Sequence, residues 1–148
     1  MQLKKQLYQA CQDFVKDKEE EILKTLKSNQ EALAAETKSS AGDKHETGRA
    51  MLQLEMEKAS QQWEGILKMK PVLQRVDTSR ISDIAALGSV IITDKANYYL
   101  TISAGALSIN EKIYYAVSVN SPIGTLLLGR NAGDVITLNN EIKIKQIY

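Results

Sequence analysis

Two carboxylates three residues apart, Asp43 and Glu46, stand in a polar break between two long amphipathic stretches. Side chains at that spacing lie on neighbouring faces of a helical turn. Hard oxygen ligands suit magnesium, which retains waters and asks few ligands of a protein. Two exposed carboxylates without further ligands would hold the ion only weakly in the free protein. The same residues also fit a capping box, with Asp43 as the N-cap and Glu46 three positions on. His45, between them, reads as a solvated loop residue, since the chain's one histidine has no second to complete a transition-metal site.

The elements that must position this pair follow from periodicity. Leu3, Leu7, Cys11, Phe14, Ile22, Leu26 and Leu33 recur at helical spacing, with the stripe interrupted at Lys18. The spacing predicts one long helix from Leu3 to about Ala35, roughly 50 Å at 1.5 Å per residue. A second stripe, Leu52, Met56, Ala59, Trp63 and Ile66, reaches Leu73 when Lys70 contributes its hydrocarbon stem. Its alternating steps of four and three are those of a coiled-coil seam, and Pro71 should end or kink that helix. The run Thr37 to Gly48 lacks both stripes and holds two glycines, so the two helices should form an antiparallel hairpin with its tip near 40–48. Trp63 and Phe14 are expected in the seam, and Glu19-Glu20-Glu21 on a solvated face.

Beyond the hairpin the composition changes. Residues 1–80 carry 27 charged side chains and residues 81–148 only 10, which marks a boundary near 71–83. Segments 89–93, 97–103, 112–117, 134–138 and 141–147 are short and rich in β-branched residues and tyrosine, and read as five strands. Asn139-Asn140 suits a two-residue hairpin turn, and the alternation of Ile142, Ile144 and Ile147 marks a buried face with an irregularity at Gln146. Ser121 before Pro122, with Gly129 as a stop, predicts a short helix over the sheet. The expected class is α+β: residues 1–75 a coiled-coil hairpin, residues 76–148 a small antiparallel β-sheet domain with one short helix.

Several functions are disfavoured. A net charge of +1, from 19 basic and 18 acidic residues, argues against a chain that grips duplex DNA through its own surface. The single cysteine, Cys11, excludes an internal disulfide framework and any CxxC site, in keeping with a reducing compartment. No apolar run approaches the roughly 20 residues of a membrane span, and the N-terminus lacks a signal-peptide core. Gly129 to Asp134 lacks the Gly-Lys-Ser/Thr ending of a phosphate loop. The expected setting is cytoplasmic.

The tip, Ser40-Ala41-Gly42-Asp43-Lys44-His45-Glu46-Thr47-Gly48, resembles the glycine-aspartate-leucine-x-glutamate-asparagine signature of the Gre transcript-cleavage factors, which also lies between two coiled-coil helices. Further on, Ala116-Val117-Ser118-Val119-Asn120-Ser121-Pro122-Ile123-Gly124, Leu128-Gly129-Arg130 and Gly133-Asp134-Val135 are similar to that family's C-terminal pattern, and Val76-Asp77 and Gly88-Ser89-Val90 to its linker and first strand. The resemblance spans nearly the whole chain. It implies a hairpin that enters the secondary channel of bacterial RNA polymerase and an FKBP-like C-terminal domain docked on the channel rim through Asn120, Ser121, Pro122 and Ile123.

Asp43 and Glu46 would then help hold Mg2+ at the polymerase active centre beside the 3′ end of the nascent RNA. There a second metal activates water for phosphodiester hydrolysis. The chain would be a cofactor of the polymerase rather than an enzyme itself. Prolyl isomerisation does not follow from the shared fold. At the tip the chain departs from the family pattern: Lys44 stands where the family has leucine, Thr47 where it has asparagine, and Gly48-Arg49-Ala50 where it has alanine-glutamate-tyrosine. A channel-binding protein that inhibits or competes without stimulating cleavage is the alternative this raises. A coiled-coil adaptor unrelated to polymerase is a third.

Overall fold

The structure is a computed structural model that describes residues 2–38 and 42–148, with the side chains of 36–38 and 42–46 outside the description. It is α+β. Helix α1 spans Gln2–Lys38 and α2 Gly42–Gln74. Six strands follow: β1 Val90–Thr93, β2 Asn97–Thr101, β3 Gly105–Ile109, β4 Lys112–Ser118, β5 Val135–Leu138 and β6 Asn140–Ile147, with the short helix α3, Pro122–Leu127, between β4 and β5. The chain groups into two compact units, one of Met1–Phe14 with Lys70–Tyr148, the other of Val15–Met69.

The second unit holds only parts of α1 and α2, so their apolar stripes cover each other. On α2 the less exposed positions are Leu52, Met56, Ala59, Trp63 and Ile66, the steps of four and three expected of a seam. On α1 the series is Val15, Glu19, Ile22, Leu26, Asn29 and Leu33, again in steps of four and three. The interruption near Lys18 is therefore filled by Glu19, which is half-buried, while Glu20 and Glu21 stay exposed. Asn29 is the more unusual member, 7% exposed with no hydrogen-bond partner for its side-chain nitrogen.

In the first unit the strand order is β3-β4-β2-β1-β6-β5. Four pairings are antiparallel, and β2 runs parallel to β4, with Tyr99 beside Ala116 and Leu100 beside Val117. The expected all-antiparallel sheet differs at that one pair because an additional strand, β3, intervenes in sequence between β2 and β4. Its residues, Gly105 to Ile109, hold few β-branched side chains, and this hid it. The β3–β4 turn is Asn110-Glu111, both at positive φ of 51° and 66°, as a two-residue type I′ turn requires. At the other hairpin only Asn139 has positive φ, 66°, and Asn140 pairs with Leu138 as the first residue of β6. The irregularity falls where Ile92 pairs with Gln146 and Thr93 with Ile144, leaving Lys145 as the extra residue of a bulge.

Alternation divides the sheet into two buried faces. Ile91, Leu100, Ile136, Ile142 and Ile144 point to one, packed with Leu127 of α3 and Ala85. Tyr99 and Val90 point to the other, where Tyr8 and Cys11 of α1 stand beside the Tyr99 ring. Tyr8 also donates a hydrogen bond to the Leu73 carbonyl at 3.1 Å. Cys11 is therefore a core thiol, fully buried. Pro71 does not end α2, which continues to Gln74; lacking an N–H, the proline forgoes one i→i−4 hydrogen bond, and the helix stops within a turn of it.

Candidate functional site

The acidic pair falls at the second and fifth residues of α2, near the start of the second helix of the hairpin. The capping box read from the sequence rests on side chains outside the described residues, and Asp43 is the second residue of α2. Anionic side chains are favoured there by the positive end of the helix dipole. The side chains of Asp43, Lys44, His45 and Glu46 lie outside the described residues. Among the described residues no group of three or more histidine, cysteine, aspartate or glutamate side chains is placed to hold a metal.

The second predicted group, Asn120 to Ile123, forms the entry to α3. Ser121 is the N-cap with extended backbone, φ −72° and ψ 160°. Its hydroxyl donates to the Ser118 carbonyl at 2.6 Å and accepts from the Gly124 N–H at 3.1 Å. The Asn120 N–H donates in turn to the Ser118 hydroxyl at 3.1 Å. Pro122 occupies the first helical turn, where its missing N–H costs nothing. Gly124 lies so close to the Ser118 backbone that a Cβ there would sit 1.8 Å from the Ser118 oxygen. The turn is thus fixed by its own hydrogen bonds and by a glycine contact. It presents Asn120 and Pro122 to solvent and turns Ile123 partly into the core.

Around this turn the structure adds residues that periodicity did not single out. The Ala85 N–H donates to the Arg130 carbonyl, and the Gly129 N–H to the Ala85 carbonyl, both at 2.8 Å, so segment 84–85 runs beside the end of α3. Ile84 and Leu128, 52% and 47% exposed, flank that junction. Ile84 carried no sequence signal beyond an apolar side chain outside any stripe, whereas Leu128 stood in the Leu128-Gly129-Arg130 motif. Elsewhere on the sheet Tyr98 and Tyr115 approach with ring centroids 6.3 Å apart and planes at 43°.

Electrostatically the unit is shaped by burial more than by pairing. Burial pushes the Cys11 thiol up to about 12, and it raises the Tyr99 phenol as well, helped by Cys11 and Tyr8 beside it. Both groups stay neutral at physiological pH. Lys4 is held below the ordinary lysine value by desolvation and by Arg80, against a smaller opposing pull from Asp77. Asp77 is kept below the usual carboxylate range by the hydroxyl and N–H of Ser79, its partners in a tight turn. The exposed Lys18–Glu21 pair, 3.6 Å apart, contributes little. No described helix is long and apolar enough to cross a membrane.

No family profile matches the chain, and no curated protein matches it significantly. Among solved structures it is similar to one described as the transcription factor Gfh1, at 20% identity, over 88% of this chain and 92% of that one, with a TM-score of 0.37. A superposition that loose carries no argument about function.

Proposed function

We propose that this chain is a transcription elongation factor. On this reading it binds bacterial RNA polymerase through the secondary channel and stimulates hydrolytic cleavage of nascent RNA in stalled complexes. The observation that carries the reading is that Asp43 and Glu46 fall in the first turn and a half of α2, the second helix of the hairpin. The Gre-like order of motifs along the sequence, from the tip to Ser121-Pro122 and Gly133-Asp134-Val135, supports it. In this account the two carboxylates complete the coordination of a Mg2+ ion shared with the polymerase. That ion activates water and stabilises the leaving oxygen, and the polymerase remains the enzyme. The fixed turn at Asn120, Ser121, Pro122 and Ile123 serves as the docking surface, with Ile84 and Leu128 beside it.

The test is shortening of RNA in stalled elongation complexes with Mg2+. The native protein should accelerate it, and Asp43→Ala or Glu46→Ala should abolish the effect while polymerase binding persists. No acceleration by the native protein overturns the cleavage role. Lys44, a cation between the two acids, favours a second reading in which the factor occupies the channel and inhibits polymerase or competes with cleavage factors. That reading expects binding without cleavage, unchanged by either substitution. Failure to retain polymerase in a pull-down would overturn both and leave the unrelated adaptor.

A further inference from the structure

Lys4, in the first turn of α1, is 4% exposed, and its ammonium donates to the Arg80 carbonyl at 2.8 Å. A lysine carries three donors, and a carbonyl supplies no counter-charge. Among the described residues no carboxylate lies within 4 Å of it; Asp77, one of whose oxygens accepts from Ser79, favours the cation only from farther off. A buried cation without a counter-ion is costly, and here Arg80 adds a second positive charge nearby.

These groups border a cavity of about 170 Å3. Its lining mixes the cationic Lys4 and Arg80 and the hydroxyl-bearing Thr78 and Ser79 with the apolar Ile81 and Ile147. Ile81 is the most exposed large apolar side chain among the described residues, at 87%. The cavity thus joins a buried cation that has no carboxylate in contact to uncovered hydrocarbon. Sites of this composition, mostly apolar with a few fixed polar groups, suit small organic molecules.

We propose that this cavity binds a small organic carboxylate, its anionic end at Lys4 and its hydrocarbon against Ile81 and Ile147. A fully hydrophilic anion leaves the apolar wall uncovered, and a neutral amide leaves the cation unpaired. Binding is independent of the transcriptional role.

The full-length protein is titrated with butyrate, benzoate, butyramide and inorganic phosphate, followed by ligand-observed NMR and by calorimetry. Butyrate or benzoate should bind with saturation. Lys4→Met, which keeps the stem and removes the charge, should weaken binding about tenfold or more, as loss of a buried charge partner does. Arg80→Gln, at an exposed residue, should weaken it to a smaller degree, and it decides the matter if Lys4→Met does not fold. The proposal is overturned if neither carboxylate binds, if butyramide binds as well as butyrate, if phosphate alone binds, or if a folded Lys4→Met variant, or failing that Arg80→Gln, retains native affinity.

Discussion

Replacing Gly124 by alanine tests whether the turn that carries Asn120 to Ile123 is as rigid as its geometry implies. The new Cβ would stand 1.8 Å from the Ser118 carbonyl oxygen and 2.9 Å from both the Ser118 carbon and the Ser121 hydroxyl. Ordinary contact begins near 3.4 Å, so α3 would have to retreat by about 1.6 Å. A shift of that size stretches the 2.6 Å and 3.1 Å hydrogen bonds that make Ser121 an N-cap. Overpacking of this kind costs roughly 1–3 kcal/mol, and loss of the cap about 1 kcal/mol more. Alanine recovers up to about 1 kcal/mol through its better helix propensity. The net is a loss of about 1–3 kcal/mol, or a fall in melting temperature on the order of 5–20 °C for a unit of this size.

Gly65 provides the control, since a Cβ there meets nothing within 4 Å. It lies inside α2, so Gly65→Ala should stabilise by about 1 kcal/mol. Thermal unfolding followed by circular dichroism and calorimetry measures both. A fall below about 3 °C for Gly124→Ala would mean that the close approach is not a constraint, and that the rigid docking surface argued above is not fixed by it.

Asn29→Leu should stabilise the helical pair by about 1–2 kcal/mol, because the amide nitrogen is buried in the seam without a partner; destabilisation in a helicity melt would show that the amide is satisfied. Cys11 should resist thiol reagents in the native protein at pH 8 and react once the chain unfolds. Burial pushes the folded thiol up to about 12, above the ordinary cysteine value near 9, so the unfolded chain loses its proton first. The thiol's contribution should be constant below about pH 9 and decline by about 1 kcal/mol per unit between 9 and 12. Denaturation midpoints of the native protein and Cys11→Ala should therefore converge as pH rises through that window, and a constant difference would refute the burial argument.

Sequence alone determined the parts of this protein whose signals are local. The α2 seam was legible at every position because a coiled-coil stripe repeats over many turns. The α3 cap was legible because Ser121 and Pro122 carry a start signal in their own chemistry. The acidic pair was legible as a spacing, although the helix start at Gly42 placed Asp43 within the first turn. Tertiary structure decided what depends on partners distant in sequence. The strand β3 has little propensity of its own and exists because β4 offers it a ladder, which in turn allows β2 and β4 to run parallel. Glu19 and Asn29 lie in an apolar seam that their side chains do not announce. Lys4 reads as a surface cation until the chain returns 76 residues later and places the Arg80 carbonyl against its ammonium. Burial is a property of what packs over a residue, and for these residues the packing comes from elsewhere in the chain.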